Sequence, residues 1–598
     1  MDTFPYLPLG PLPADGDDLR RFRLWAPNVR QLELTLVEGG EERVYTMHKE
    51  DFGYYVSDAV NAPAGTRYGY YRNGKRDKLY PDPVSRYQPD GVHGMSEVID
   101  LPTPSSDDWK GHGLEDAIIY ELHVGTFTEA GTLSAAAEKL DYLKELGVNT
   151  IELMPLNQTP GDRNWGYDGV LPFALMKAYG RPEDLLSFIE AAHQRGIAVL
   201  IDVIYNHLGP EGNYLPKFFP VFTEKHHTPW GAAINFDAPQ ADGVRNYWLQ
   251  NVRLWLEHYG ADGLRLDAVH AIKDYSAEHF LEGVSKVADE IGEKQQRDII
   301  LLAECDLNAP RFIVPRDQGG YGLSGQWVDE FHHALHGLLT GERKGYYEDF
   351  GEHEQLARAL RDGYVYTGQY SQHRKRNFGL PNQPTVHPRQ LVVFLQNHDQ
   401  VGNRMIGDRL IENISLDKYL LGAGTYLLSP FTPLIFMGEE YGERRPFPYF
   451  VNHGDPALIE AVRKGRAAEF AAFQHEGHTV PDPQSPKTFD SAKLSWEDNP
   501  RVIAFYRKAL HLRAAAPKDY TFADISVDQA GNLLTWTIKG SPYLVCANYG
   551  DEPLEIDQPG TLVLESNGAT HDNRTLHLPA WGLAVLTDQQ SKRPTDQK

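Results

Sequence analysis

The sequence predicts an α/β fold, a (β/α)8 TIM barrel flanked by an N-terminal and a C-terminal β-sandwich, and three observations predict it. The middle of the chain alternates short β-branched runs with amphipathic helical periods, as a parallel sheet with helical crossovers requires. Eight such runs can be counted, the number that closes a barrel. Both ends of the chain return to the period-two alternation of half-buried strands. At 598 residues the chain exceeds what one hydrophobic core needs, so three domains are expected, over residues 1–105, 106–516 and 517–598.

Taken in order, Gln31-Leu32-Glu33-Leu34-Thr35-Leu36 alternates as a strand, and Asn73-Gly74 after the aromatic run Tyr70-Tyr71 marks a hairpin turn. These features predict an immunoglobulin-like sandwich over the first 105 residues. Pro81, Pro83, Pro102, Pro104, Ser105 and Ser106 then interrupt regular structure, which sets the first boundary. The barrel strands are expected to begin near Ile118, Thr150, Ala198, Gly263, Ile299, Gln326, Leu391 and Pro433. Between them, Leu133, Ala136, Leu140 and Leu143 share a helical face that ends at Gly147, and Trp248, Val252, Trp255, Leu256 and Tyr259 share another that stops at Gly260. A last helix, Arg501 to Ala515, follows Asn499-Pro500. Beyond residue 517, Leu533 to Trp536 and Tyr543 to Cys546 read as strands of the second sandwich, and the polar tail from Asp588 to Lys598 is expected to fray.

Composition narrows the function. The chain is 41% hydrophobic and 24% charged, with no apolar run near the roughly 18 residues of a membrane helix. A net charge of −25 disfavours nucleic acid and anionic membrane as partners and suits a neutral polar substrate. Nothing near Met1 resembles a secretory signal, so a cytoplasmic protein is expected. The two cysteines, Cys305 and Cys546, fall in different predicted domains and are expected to be buried thiols rather than a disulfide.

In such a barrel, chemistry collects at the carboxyl ends of the strands. Four strand ends deliver carboxylates there: Asp202 within Asp202-Val-Ile-Tyr-Asn206-His207, Asp267 after Gly263-Leu-Arg265-Leu, Glu304 after Ile300-Leu-Leu-Ala, and Asp399 after Asn397-His398. Glycosidic cleavage needs one carboxylate at the anomeric carbon and one carboxylic acid to protonate the departing oxygen. Asp267 and Glu304, on adjacent strands, fit the separation of roughly 5 to 5.5 Å that goes with a retaining mechanism. Arg265 lies on the same strand face as Asp267 and orients it; His207, His270 and His398 offer hydroxyl donors. A single strand-end Asp is more often a helix cap, and Asp306 and Cys305 are read as non-catalytic; it is the set of four that carries weight. The pairs His226-His227 and His332-His333 lack metal-ligand spacing, so no metal and no cofactor is expected.

These motifs resemble, in order and on the expected strands, those of the α-amylase superfamily of glycoside hydrolases (family 13). The resemblance implies Asp267 as nucleophile, Glu304 as general acid/base and Asp399 as transition-state stabiliser, with Arg265, His207 and His398 around the reacting glucose. Asn164-Trp-Gly-Tyr167-Asp168 looks like a further family segment, which implies that Tyr167 stacks on that sugar. Longer strings, among them Asp329-Glu-Phe-His-His-Ala-Leu-His336 and Asn397-His-Asp-Gln-Val-Gly-Asn-Arg404, are similar to one branch of the superfamily that frees trehalose. That similarity implies maltooligosyl trehalose and related α-glucans as partners and a role in trehalose biosynthesis. For the trehalose side, Trp230, Phe331 and His332 are the aromatic and polar candidates on loops beyond strands three and six. Many amylases hold calcium with the residue at the Asn206 position, but residues 208–241 offer no carboxylate cluster to complete a cage, so calcium is not expected. Alternatives are a glucan branching enzyme or other α-glucanotransferase, and a non-catalytic glucan-binding protein. Ala303-Glu304-Cys305 and Asn397-His398-Asp399 differ from the Ala-Glu-Asp and Ser-His-Asp usual in branching enzymes, and all three carboxylates are present, which favours the hydrolase.

Overall fold

The computed structural model describes residues 3–104, 109–470, 479–572 and 574–587. The boundary expected at 105/106 and the tail from Asp588 lie outside them. Eight parallel strands close a barrel: β1 (Ile119–Leu122), β2 (Thr150–Leu153), β3 (Ala198–Val203), β4 (Gly263–Leu266), β5 (Ile300–Ala303), β6 (Gly325–Trp327), β7 (Leu391–Phe394) and β8 (Thr432–Phe436). Each begins within one residue of the position read from the sequence.

Side-chain parity explains how the barrel is filled. Ile119, Leu200, Ile300, Leu302, Trp327, Val392, Phe394 and Leu434 form one buried apolar cluster inside it. Gly263 lies at the floor of β4, where a Cβ would come within 2.0 Å of the Ile300 carbonyl oxygen and 2.7 Å of Leu200. No other residue allows that approach. Two residues further along the same parity, the apolar layer gives way to a polar one: Glu121, Glu152, Asp202 and Arg265, all buried.

The sequence-predicted helices are present, with two differences. Residues Leu133–Ala137 and Leu140–Leu146 are two turns of helix broken at Lys139, and Gly147 closes the second at φ 107°. The helix Ala241–Arg253 does not run uniformly to its end: residues Leu254–His258 widen to a π-helical turn before Gly260 at φ 75°. The helix Pro500–Ala514 is capped by the Asn499 side chain.

Ahead of the barrel, two five-stranded antiparallel sheets pack as a sandwich, with Phe22 against Tyr68 at 5.0 Å between ring centres. The Asn73-Gly74 turn between strands Arg67–Arg72 and Lys75–Tyr80 has both residues at positive φ, 55° and 68°, as a two-residue hairpin demands. After the barrel, a five-stranded sheet and a three-stranded sheet enclose Cys546, Leu576, Leu578 and Leu586. The N-terminal sandwich braces the long loop after β3: Arg72 donates to the Lys217 carbonyl at 2.9 Å, and Lys78 to the Tyr214 hydroxyl at 2.5 Å. That loop carries an antiparallel hairpin, Phe222–Thr228 with Gly231–Ile234, whose tip holds Trp230.

Behind β8, Glu439 and Glu440 are buried carboxyls held by hydroxyls, Glu439 by Tyr426 and Tyr506 at 2.5 and 2.7 Å and Glu440 by Tyr120 and Tyr142 at 3.1 and 3.0 Å. Burial pushes both up to about 7 from 4.5. A carboxyl raised on folding stabilises fully below its unfolded value, and this stabilisation is lost as the pH rises through the folded value. The loss between pH 4.5 and pH 8 is on the order of 3 kcal/mol per group. Glu440→Gln is therefore expected to flatten the fall of the thermal midpoint between pH 5 and pH 8, as differential scanning calorimetry would show; an unchanged pH slope would contradict it.

Candidate active site

The carboxyl end of the barrel gathers the strand-end residues around one guanidinium. Arg265 is fully buried and donates through Nη1 to Asp202 at 2.8 Å and to Asp267 at 2.9 Å, while its Nη2 stands 3.7 Å from Glu304. The parallel register makes this possible, since Asp202 pairs with Arg265 across β3 and β4, and Arg265 with Leu302 across β4 and β5. Trp327 at the end of β6 lies under the guanidinium at 4.4 Å from ring centre to Cζ, which closes the other face. Burying a charge this deeply is tolerable only with such pairing.

Asp267 is held from both sides. Its Oδ1 takes the Arg265 bond, and its Oδ2 accepts from the Asn206 amide at 2.7 Å, an amide that also reaches the Asp267 carbonyl. Immediately after it, Ala268 sits at φ 39°, in the left-handed region that a β-carbon disfavours. That turn aims the Ala268 N–H at Glu304 Oε2, and the Val269 N–H donates to the Glu304 carbonyl at 3.1 Å. The ends of β4 and β5 are thus tied together through Glu304 and the turn that follows Asp267. Burial pushes the Glu304 carboxyl well above the usual range, and Asp267, Asp399 and Asp329 push it further against the opposing pull of Arg265. That shift favours the protonated form of the carboxyl.

Tyr167 bridges the other residues. Its hydroxyl donates to Asp202 Oδ2 at 2.6 Å and lies 2.8 Å from His398 Nε2, with the two rings stacked 5.3 Å apart. His207 sits 4.0 Å from Asp267 and bonds Asn206 at 2.6 Å. Asp399 is 42% exposed, and its Oδ1 lies 3.6 Å from His398 and accepts from Asn403 at 3.2 Å. From Asn403 a groove of about 760 Å³ runs outward between Tyr346, Glu342, Arg404, Asp408 and Arg444. Its mixed lining, with Tyr346, Tyr347 and Phe470 among charged side chains, suits sugar rings, which present both apolar faces and hydroxyls.

Not every sequence candidate belongs here. Phe331 is fully buried and packs against Phe431, so it lines no cleft. His332 is also buried, with both ring nitrogens occupied, Nδ1 by the Leu395 carbonyl and Nε2 by the Tyr347 hydroxyl, each at 2.7 Å. Both lie on the inner face of the helix Asp329–Thr340, where Phe331, Leu335 and Leu339 make the i, i+4, i+8 stripe of a core-facing helix. Trp230 differs: 52% exposed, it stacks on His207 at 4.5 Å and 10°. His270 is half-buried among Asp306, Lys273 and Asp267, with its Nδ1 lacking a hydrogen-bond partner.

The structure adds residues that sequence reading left out. Asp306 pairs with Arg374 at 3.0 Å, and Arg374 comes from a hairpin, Tyr370–Ser371 with Arg376–Asn377, inserted between β6 and β7. Asp329, at the end of β6, is pushed up to about 7 by burial and then by Asp306 and Asp399. Glu121 on β1 binds His398. A Glu in an apolar strand two residues before His123 was a legible signal for it.

With this geometry in place, comparison identifies relatives. The model of the α-amylase catalytic domain matches residues 79–225. The malto-oligosyltrehalose trehalohydrolase of Rhizobium sp. is 45% identical over 591 residues, covering 95% of this chain and 98% of that protein. A crystal structure of a Salmonella typhimurium protein assigned as an alpha amylase superposes with a TM-score of 0.87 at 38% identity, covering 97% of this chain and 99% of that one. The 1,4-alpha-glucan branching enzyme of Geobacillus stearothermophilus is further away, 27% identical over 71% of this chain and 67% of its own length.

Proposed function

The chain belongs to the malto-oligosyltrehalose trehalohydrolase family of the α-amylase superfamily, and on that premise we propose that it hydrolyses the α-1,4 bond next to the terminal trehalose of maltooligosyl trehalose, with retention. The observation that carries the mechanism is the single buried guanidinium that contacts Asp267 at 2.9 Å and stands 3.7 Å from Glu304. It orients one carboxylate as the nucleophile while burial and the neighbouring carboxylates favour the protonated form of the other, the division of labour that a retaining glycosidase needs.

In the first step Asp267 Oδ attacks the anomeric carbon and Glu304 gives its proton to the departing glycosidic oxygen. Trehalose leaves and a glycosyl ester remains on Asp267. Glu304, now a carboxylate, takes a proton from water as the water attacks, and the maltooligosaccharide is freed with its α configuration. Asp399, beside His398, faces the ring on which positive charge develops. Tyr167, His207 and His398 hold the same glucose.

Because Glu304 protonates the leaving oxygen, the trehalose must lie on its far side, and in this reading His270, the Asp306–Arg374 pair and Trp230 serve it in place of Phe331 and His332. The groove from Asn403 past Arg404 takes the maltooligosyl chain. Trp230→Ala is expected to raise KM for maltotriosyl trehalose by about tenfold with kcat changed less than about threefold, since stacking is lost in ground and transition states alike. An unchanged KM would remove Trp230 from the sugar site.

The substrate assignment is tested by following trehalose, reducing ends and new α-1,6 branches from maltotriosyl trehalose and, separately, from amylose. Rapid trehalose release is expected. Dominant branching, or activity on amylose alone, would overturn it. A cytoplasmic, trehalose-forming role is part of the same proposal, supported by the family's substrate and by two buried free thiols.

A further inference from the structure

We propose that Glu121, on the first barrel strand, is a positioning residue for this reaction that fixes His398 as a doubly protonated ring and so anchors the hydrogen-bond chain running to Asp267. The inference rests on the catalytic roles proposed above, and it follows from counting hydrogens. Glu121 and His398 are both 1% exposed. The carboxylate takes the His398 backbone N–H at 3.0 Å through one oxygen and the ring Nδ1 through the other. A carboxylate only accepts, so Nδ1 carries hydrogen.

The far nitrogen is settled by Tyr167. Its hydroxyl lies between Asp202 Oδ2 at 2.6 Å and His398 Nε2 at 2.8 Å, and it has one hydrogen to give. Asp202, whose two oxygens both face Arg265 Nη1, is an acceptor once ionised, so it takes that hydrogen. The Tyr167 oxygen must then accept from Nε2. Both ring nitrogens therefore carry hydrogen, and the imidazolium lies 3.6 Å from Asp399 Oδ1.

The groups facing His398 agree with this count. Burial alone would lower its proton affinity, and Arg265 on β4 acts the same way; Glu121 on β1 and Asp399 outweigh them and hold the ring at about 9. Glu152 on β2, paired in register with Glu121, is buried with neither carboxyl oxygen hydrogen-bonded. Burial, and then the neighbouring Glu121 charge, push it far up, so Glu152 favours its neutral form. His123, also nearby, is lowered by burial to about 4 and is uncharged. Trp165 and Trp327 pack against the ring without charge.

The test reads His398 directly in the free enzyme. Histidine ring carbons are labelled, the His398 signal is assigned by its loss in His398→Gln, and it is titrated in the wild type, Glu121→Gln and Tyr167→Phe. The wild-type ring is expected to stay protonated through pH 8 and to titrate near about 9. In Glu121→Gln the titration should fall by about one pH unit or more. The basic limb of kcat on maltotriosyl trehalose should move down with it, and kcat should drop about tenfold with KM within about threefold. Tyr167→Phe, which leaves Glu121 in place but removes the acceptor for Nε2–H, should lower the titration by a smaller step. If Glu121→Gln does not fold, the wild-type titration decides alone, since a ring held by Glu121 must stay protonated through neutral pH. A His398 titration unmoved in the folded variants, or a wild-type ring already neutral at pH 7, overturns the proposal. Because the titration needs no substrate, its failure leaves the trehalose assignment standing, and a normal titration in an enzyme that releases no trehalose would sink only that assignment.

Discussion

Asp267→Asn is expected to lower kcat on maltotriosyl trehalose by about four orders of magnitude or more while leaving the fold intact. The side chains are isosteric, and the Asn oxygen can still face Arg265 or the Asn206 amide, so the packing around β4 survives. Lost is the anion that forms the glycosyl ester, and no neighbour replaces it: Asp202 already binds Arg265 and Tyr167 behind it, and Glu304 must keep its proton. Steady-state kinetics with circular dichroism and a thermal melt check this. Activity above about one per cent in a folded variant would mean that another group attacks the sugar.

Glu304→Gln is expected to be nearly as severe for natural substrate, about a thousandfold or more in kcat, but its defect depends on the leaving group. Gln cannot protonate a sugar oxygen, whereas fluoride departs without a proton. With an α-maltosyl fluoride, Glu304→Gln should form the Asp267 ester readily and then stall, because water lacks its base; added azide, which needs none, should restore turnover and give the α-glycosyl azide. A variant equally slow on fluoride and oligosaccharide, and deaf to azide, would show that Glu304 does not act by proton transfer.

Much of this architecture was legible because the barrel writes itself in two periods. An apolar run such as Val199-Leu200-Ile201 that ends in Asp202 announces both a buried strand and a polar group at its mouth, and Arg265 two residues before Asp267 announces that both share a face. What was hidden depended on partners distant in the chain. Phe331 and His332 were read as loop residues, although the i, i+4 stripe through Leu335 placed Phe331 in the core. His332 gave no such hint, since its role depends on the Leu395 carbonyl and Tyr347. A charge inside an apolar strand marks Glu121 as unusual, but its partner His398, 277 residues on, is not legible from that strand. Arg374 sits on an insertion whose place beside Asp306 no local pattern encodes.

The hairpin after β3 shows how the flanking sandwich reaches the chemistry. Lys78 and Arg72 brace the loop at Tyr214 and Lys217, that loop carries Trp230, and Trp230 stacks on His207 beside Asp267. The N-terminal sheets thereby belong to the description of the site as much as the barrel does.

The claim on which the rest depends is that Asp267 and Glu304 divide one displacement into two. Proton NMR of maltotriosyl trehalose during its first few per cent of hydrolysis tests it most directly, because the newly exposed anomeric centre reports its configuration before mutarotation. Two inversions at that carbon give α-maltotriose first, with the β-anomer rising only later. β-Maltotriose as the initial product would mean a single direct attack by water, and Asp267 would not be a nucleophile.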